Sequence, residues 1–342
     1  MIIKALSDPR ILEAFTPVIY GSSKIFGFYK RLIHEIDSLD TNVVNSAKDA
    51  HPRRINIVNC LPDNVFVEPG QSTPESAKAA MTSLEWAVRD IKEGNIDVLV
   101  TAPFNKKAMS REGFGYAGHT EYLQNAFGVK DITMLMVSDS LKVGVVTGHI
   151  PLKDVPGSIT QEKILSKLRL MKASLERDFG VDNPKIAVLS LNPHSGDGGL
   201  LGSEEQEIII PAIQAAQDEG TLAYGPFSPD GYFGIRQYTK FDATLAMYHD
   251  QGLEPFKAIS FEDGVNFTAG LPIVRTSPDH GTDSEMAGRD EADPGSMRSS
   301  IYRAIDIFRN RKAYDALQAG KMVRREIEEP QGERRGGKPQ IA

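Results

Sequence analysis

At 342 residues the chain is longer than one hydrophobic core normally serves, and a formal net charge of −7 with no long basic run argues against a nucleic-acid-binding surface. A single cysteine, Cys60, excludes an intrachain disulfide and a sulfur-rich metal site, which suits a cytoplasmic protein. The first residues lack the basic, apolar and small-residue order of a signal peptide, and no apolar run approaches spanning length, so no membrane partner is expected.

β-Branched apolar runs alternate with helical patterns along the chain, the signature of βα units and an α/β fold with largely parallel sheets. In chain order the runs predict strands at Thr16–Gly21, Ile55–Cys60, Asp97–Thr101, Ile132–Val137, Val143–Thr147, Ile186–Leu191, Ala243–Tyr248 and Pro272–Thr276. The clearest helix spans Pro74 to Glu93, with Thr73 as N-cap, proline in the first turn and Gly94 as the stop. Further helices are expected at Thr160–Phe179, from Ser203, where Ser203-Glu-Glu-Gln206 reads as a capping box, and at Ser296–Gln318. Residues 323–342 are charged, rich in Pro and Gly and without apolar periodicity, and read as a disordered tail.

Three of these runs deliver a histidine: His149 after Val143–Thr147, His194 after Ile186–Leu191 and His249 after Ala243–Tyr248. A lone histidine past a strand is usually a hydrogen-bonded loop residue. The same placement three times, each where a buried strand gives way to a loop, points to one divalent metal, since ligand sites gather at strand ends in open α/β sheets. Three imidazoles suit Zn, Co or a similar ion and leave positions open for a substrate. Asp250 is then either a group that orients His249, a general base, or a solvated loop aspartate, and Asp230 in Ser-Pro-Asp-Gly has the same alternatives beside plain turn chemistry.

Anion seats are the second feature. Thr101-Ala-Pro-Phe-Asn-Lys-Lys107 brings two lysines to a strand end, and Gly118-His119-Thr120-Glu121 opens a helix whose N-terminal amides favour phosphate or carboxylate, although an ordinary capped turn has the same composition. Gly196-Asp-Gly-Gly-Leu-Leu-Gly202 has the glycines of a phosphate cradle without a Walker lysine. Lys257, Asn266 and Arg275 lie on or beside the last apolar segments, where a cation near buried backbone suits an anionic ligand. No Gly-x-Gly-x-x-Gly follows a first strand and no Gly-x-Ser-x-Gly elbow occurs, so neither a standard dinucleotide turn nor a serine nucleophile is supported.

Gly118-His-Thr-Glu121, Thr147-Gly-His-Ile-Pro-Leu-Lys-Asp154, Leu191-Asn-Pro-His-Ser-Gly-Asp-Gly-Gly199, Ala246-Met-Tyr-His-Asp-Gln-Gly252 and Gly270-Leu-Pro-Ile-Val-Arg-Thr-Ser-Pro-Asp-His-Gly-Thr282 together resemble the 4-hydroxythreonine-4-phosphate dehydrogenase family of pyridoxine biosynthesis. The resemblance runs from about Thr16 to Phe308. It implies a homodimer of two-lobed subunits akin to isocitrate and isopropylmalate dehydrogenases, with the metal shared across the dimer. One lobe would comprise residues 1–115 with 270–322, the other residues 116–269, carrying the metal ligands. On the matching positions His149, His194 and His249 would hold Zn, Mg or Co, while His119, Thr120, Lys257, Asn266 and Arg275 would bind the phosphorylated substrate and Asp230 and Asp250 would support the site.

The implied reaction is NAD- or NADP-dependent oxidation of 4-phosphooxy-L-threonine to a 3-keto acid that loses CO2. Sister reactions on phosphorylated erythronate or threonate, or on a cis-dihydrodiol, are the near alternatives, and a metal hydrolase or an inactive phosphate-binding homologue the distant ones. Family members begin with a strand and a loop of the Gly-Asp-Pro-x-Gly-Ile-Gly-Pro-Glu kind, whereas here Met1 falls inside the helix that would follow. Loss of that strand and loop is expected to open a sheet edge and to lower activity and stability relative to a chain extended upstream.

Overall fold

The computed structural model describes residues 1–34, 36, 39–282 and 284–321; the expected tail at 323–342 lies outside them. Eleven strands are formed among the described residues: β1 Val18–Gly21, β2 Thr41–Val44, β3 Ile55–Asn59, β4 Val98–Val100, β5 Thr133–Val137, β6 Lys142–Val145, β7 Lys185–Leu189, β8 Leu222–Phe227, β9 Ala243–Ala246, β10 Val265–Ala269 and β11 Val274–Pro278. They make a small sheet in the order β1-β3-β2 and a large one in the order β4-β11-β10-β5-β6-β9-β7-β8. The small sheet is parallel, and in the large one β4/β11, β6/β9, β9/β7 and β7/β8 pair parallel while β10/β11, β10/β5 and β5/β6 pair antiparallel.

Both faces of the large sheet are covered, which is why its central strands read as continuous apolar runs. Leu135 and Val137 of β5 and Ile186 and Val188 of β7 face one core with Ile164, Leu168, Met171 and Leu175 from the helix Gln161–Arg177. The intervening Met136, Ala187 and Leu189 face a second core with Val143, Val145, Leu253 and Phe256. The period of two along each strand and the i, i+4, i+7, i+11 stripe on the helix are the sequence patterns turned into packing. The helix Pro74–Lys92 starts as expected, with Thr73 and Ser76 exchanging a reciprocal capping box and proline in the first turn.

Three expectations need correction. His249 does not sit in a loop: it is the first residue of the helix His249–Ser260, which begins directly after β9. Ser203 makes no side-chain cap bond among the described residues; its carbonyl accepts from Gln206 N and Glu207 N, and the segment opens as a π-turn at Glu205–Ile209. Strands β2, β8 and β10 form where the sequence shows no continuous apolar run. β10 is the instructive case, because Val265, Phe267 and Ala269 are buried while Asn266 and Thr268 point to the opposite face, so polar side chains inside a buried strand break the apolar run.

Gly252 decides how closely the helix His249–Ser260 approaches β6 and β9. A Cβ there would lie 2.8 Å from Val143 Cγ1 and 3.0 Å from Ala246 Cβ. Gly252→Ala is therefore expected to destabilise the protein by about 1–3 kcal/mol through overpacking, read as a lower melting temperature in a thermal scan; an unchanged or higher value contradicts this packing.

Candidate active site

The three histidines leave the same edge of the sheet because β6, β9 and β7 are adjacent and parallel, with β9 in the middle. Two side chains fix those strand ends. Thr147 Oγ1 donates to Met247 O at 2.8 Å, joining the β6 end to the β9 end. Gln251 Oε1 accepts from Met247 N at 2.7 Å and its Nε2 donates to Ser190 O at 2.6 Å, joining the β9 end to the β7 end. Sequence reasoning missed Gln251 as a working residue, although it lies inside the Tyr-His-Asp-Gln motif.

The rings of His149 and His249 face each other with centroids 5.3 Å apart. His249 Nδ1 lies 2.6 Å from Asp250 Oδ1, so an Nδ1–H held by that carboxylate leaves Nε2 as the free lone pair. Burial, with help from the charges of Lys106 and His249, lowers the pKa of His149, and this favours the neutral, ligating form; Glu121 opposes the shift. A cavity of about 320 Å³ lies beside the pair, with Gly148, Ile150, Tyr248, His249, Asp250 and Gln251 in its wall.

His194 stands apart from this pair. It begins a run of left-handed backbone and its charge helps hold the carboxyl of exposed Asp230 below the usual range, after the hydrogen bonds that Ser228 Oγ and Gly231 N make to it. Among the described residues no group of three His, Cys, Asp or Glu side chains is close enough to hold a metal ion within one chain. The two imidazoles, one of them oriented by a carboxylate, nevertheless offer nitrogen donors of the kind that divalent metals take.

The second cluster is built around Arg275 on β11. It is 4 % exposed, and its guanidinium donates from Nη2 and Nε to Thr101 Oγ1 at 2.7 and 3.2 Å and from Nη1 to Thr268 Oγ1 at 3.3 Å. No carboxylate is within ion-pair distance of it among the described residues. Burial lowers its pKa to about 10, with Glu121 opposing, so it remains charged at neutral pH. A buried charge held only by hydroxyls is costly until an anion joins it.

His119 lies within electrostatic reach of that charge and opens the helix His119–Phe127, whose first turn has no side-chain cap among the described residues, so its leading N–H groups lack an intrahelical acceptor. Its ring rests on Phe104 with centroids 4.0 Å apart. Burial first, then Arg275, then Lys106 drive its pKa down to about 2. Lys106 sits in the first turn of the short helix Lys106–Arg111, capped by Asn105, so one of the two strand-end lysines does reach this region. Asn266 Oδ1 is buried without a hydrogen-bond partner among the described residues, and Lys257 Nζ lies 3.5 Å from Asp279 Oδ1. Burial raises the Asp279 carboxyl above its usual pKa, with Lys257, His280 and His249 opposing, so Asp279 lies within electrostatic reach of His249.

A family model described as pyridoxal phosphate biosynthetic protein PdxA matches residues 13–304. The chain is 49 % identical over 320 residues to a 4-hydroxythreonine-4-phosphate dehydrogenase of Bacteroides thetaiotaomicron, covering 93 % of this chain and 87 % of that protein. A Sulfurihydrogenibium protein of the same name is 44 % identical over 297 residues, covering 86 % of this chain and 90 % of the relative. The crystal structure of the Klebsiella pneumoniae 4-hydroxythreonine-4-phosphate dehydrogenase superposes with a TM-score of 0.76 at 33 % identity, over 87 % of this chain and 93 % of that one. The α/β fold with parallel-dominated sheets is thus the one expected, and it is shared with that dehydrogenase.

His119 gives this site a pH signature. Its folded-state pKa lies far below the free value of 6.5, so on acidification the unfolded chain takes up the proton first. The stability contributed by the neutral ring is complete above the free value and is lost as pH falls below it. In ligand-free protein the ring is expected to stay neutral down to about pH 4 in imidazole NMR spectra. A midpoint near the free value contradicts the burial described.

Proposed function

The chain belongs to the PdxA family of pyridoxal phosphate biosynthetic proteins, and on that premise we propose that it oxidises C3 of 4-phosphooxy-L-threonine with NAD or NADP, the 3-keto acid then losing CO2 to give 3-amino-2-oxopropyl phosphate. It is an oxidoreductase of pyridoxal phosphate biosynthesis, and a dehydrogenase of this family takes its hydride to a nicotinamide cofactor. Ser22 caps the helix Ser23–Lys30 directly after β1, so a glycine-rich dinucleotide turn does not fit there and the nucleotide must be held elsewhere.

The observation that carries the substrate reading is Arg275, a buried guanidinium with no carboxylate partner among the described residues. A phosphate is the group that would complete it, with the neutral His119 N–H, the first turn of its helix at Thr120, Lys257 and the open Asn266 amide as further contacts. Holding the phosphate there fixes the C3 hydroxyl relative to the histidine pair, so binding distant from the reacting carbon becomes orientation at it.

His149, His194 and His249 would hold a divalent ion, Zn, Mg or Co. When bound, such an ion supplies a Lewis acid that favours loss of the C3 hydroxyl proton and the electron withdrawal that decarboxylation needs. Asp250 orients the His249 ring and Asp230 faces the field of His194. Because His149 and His249 approach each other while His194 stands apart, the trio is completed between two copies, His194 of one copy joining the pair of the other. Exposed apolar side chains near these histidine loops support a homodimer: Leu152 is 70 % exposed and Leu200 79 %. The single cysteine and the lack of any helix long and apolar enough to cross a membrane among the described residues agree with a cytoplasmic enzyme.

The test is NAD(P)H formation from 4-phosphooxy-L-threonine by wild-type protein and by Arg275→Lys, which keeps the charge and loses the fork. KM for the phosphorylated substrate is expected to rise about tenfold or more, with a smaller change in kcat. An unchanged KM removes Arg275 from the phosphate site. Equal turnover of unphosphorylated cis-dihydrodiols would contradict the substrate reading itself.

A further inference from the structure

We propose that Glu205 is the positioning residue for His194, setting the loop that presents this ring; the inference rests on His194 being a metal ligand, as read above. Glu205 is 1 % exposed, yet no basic side chain pairs with it among the described residues. Its carboxylate is satisfied by the loop instead: Oε1 accepts from Leu191 N and Asn192 N, both at 2.8 Å, and Oε2 accepts from Asn192 Nδ2 at 3.0 Å. These donors occupy the two positions immediately before Pro193-His194, so the carboxylate fixes where the chain leaves β7 and where the histidine emerges.

The loop beyond needs such an anchor. His194, Ser195, Gly196, Asp197 and Gly198 all have left-handed backbone, with φ of 52°, 52°, 78°, 44° and 66°. Three of the five carry side chains, for which that region is strained and persists only where the surroundings over-determine it. Glu205 also supplies the contact from within the turn: a Cβ at Gly196 would lie 2.6 Å from Glu205 Oε2, so the loop closes directly over the carboxylate. The π-turn Glu205–Ile209 that carries this residue is the kind of helix irregularity often found beside functional sites.

The experiment measures Zn2+ binding by calorimetry and amide hydrogen exchange on the full chain for wild-type, Glu205→Gln, Glu205→Ala and His194→Ala. Glu205→Gln keeps the size and one acceptor oxygen but puts an NH2 group against Asn192 Nδ2. It is expected to weaken Zn2+ binding about tenfold, and Glu205→Ala up to about a hundredfold, with faster exchange confined to residues 191–202. If Glu205→Ala does not fold, the isosteric variant decides. Loss of Zn2+ binding in His194→Ala with wild-type affinity in Glu205→Gln, or unchanged exchange at Leu191 and Asn192, overturns the proposal alone. Wild-type Zn2+ affinity in His194→Ala instead overturns the ligand reading on which it rests.

Discussion

The site depends on one constraint, the parallel alignment of β6, β9 and β7 with their carboxyl ends tied together. Parallel strands place successive chain exits on one edge at the inter-strand spacing, about 4.8 Å, so side chains a few residues past neighbouring strands meet without any long-range design. Gln251 is the central tie, because a single amide accepts from the end of β9 and donates to the end of β7. Thr147 joins β6 to β9, donating from both Oγ1 and its backbone N to Met247 O. His149 and His249, carried by the two strands that Thr147 joins, are the histidines that face each other.

The second half of the site works by electrostatics rather than alignment. Arg275 has given up water for three hydroxyl contacts, an arrangement that burial alone would select against. The same burial keeps His119 neutral next to it, so the pair offers one fixed positive charge and one uncharged donor instead of two repelling cations. On the proposed reading, a phosphate would supply the anionic partner that Arg275 lacks among the described residues, and binding would offset part of the cost of burying its charge. Lys106 acts on both His119 and His149, which places the two halves within electrostatic reach of each other.

Much of this was legible in the sequence where one rule governed. Strands buried on both faces read as apolar runs, and the helix Pro74–Lys92 announced itself through Thr73 and Pro74. β10 escaped because Asn266 and Thr268 face the side where Arg275 lies, and β8 because Gly225 and Pro226 interrupt an edge strand that tolerates them. His249 read as a loop residue because Gly252 and Pro255 look like breakers, yet the first serves close packing on β6 and the second is accommodated inside the helix. The motif Ser203-Glu-Glu-Gln206 satisfied a local capping rule, while the non-local partners of Glu205 lie upstream at Leu191 and Asn192. Which histidines belong to one chain's cluster is likewise a three-dimensional fact that spacing along the chain does not encode.

The central claim is that each complete histidine trio draws on two copies of the chain. Mixing His194→Ala with His249→Ala tests it directly. In the heterodimer, one site then combines intact His149 and His249 from one copy with intact His194 from the other, and the opposite site carries both defects. The account predicts that each variant alone is inactive and that the purified heterodimer regains one bound metal per dimer together with dehydrogenase activity. A heterodimer as inactive and metal-free as the two parents would contradict it.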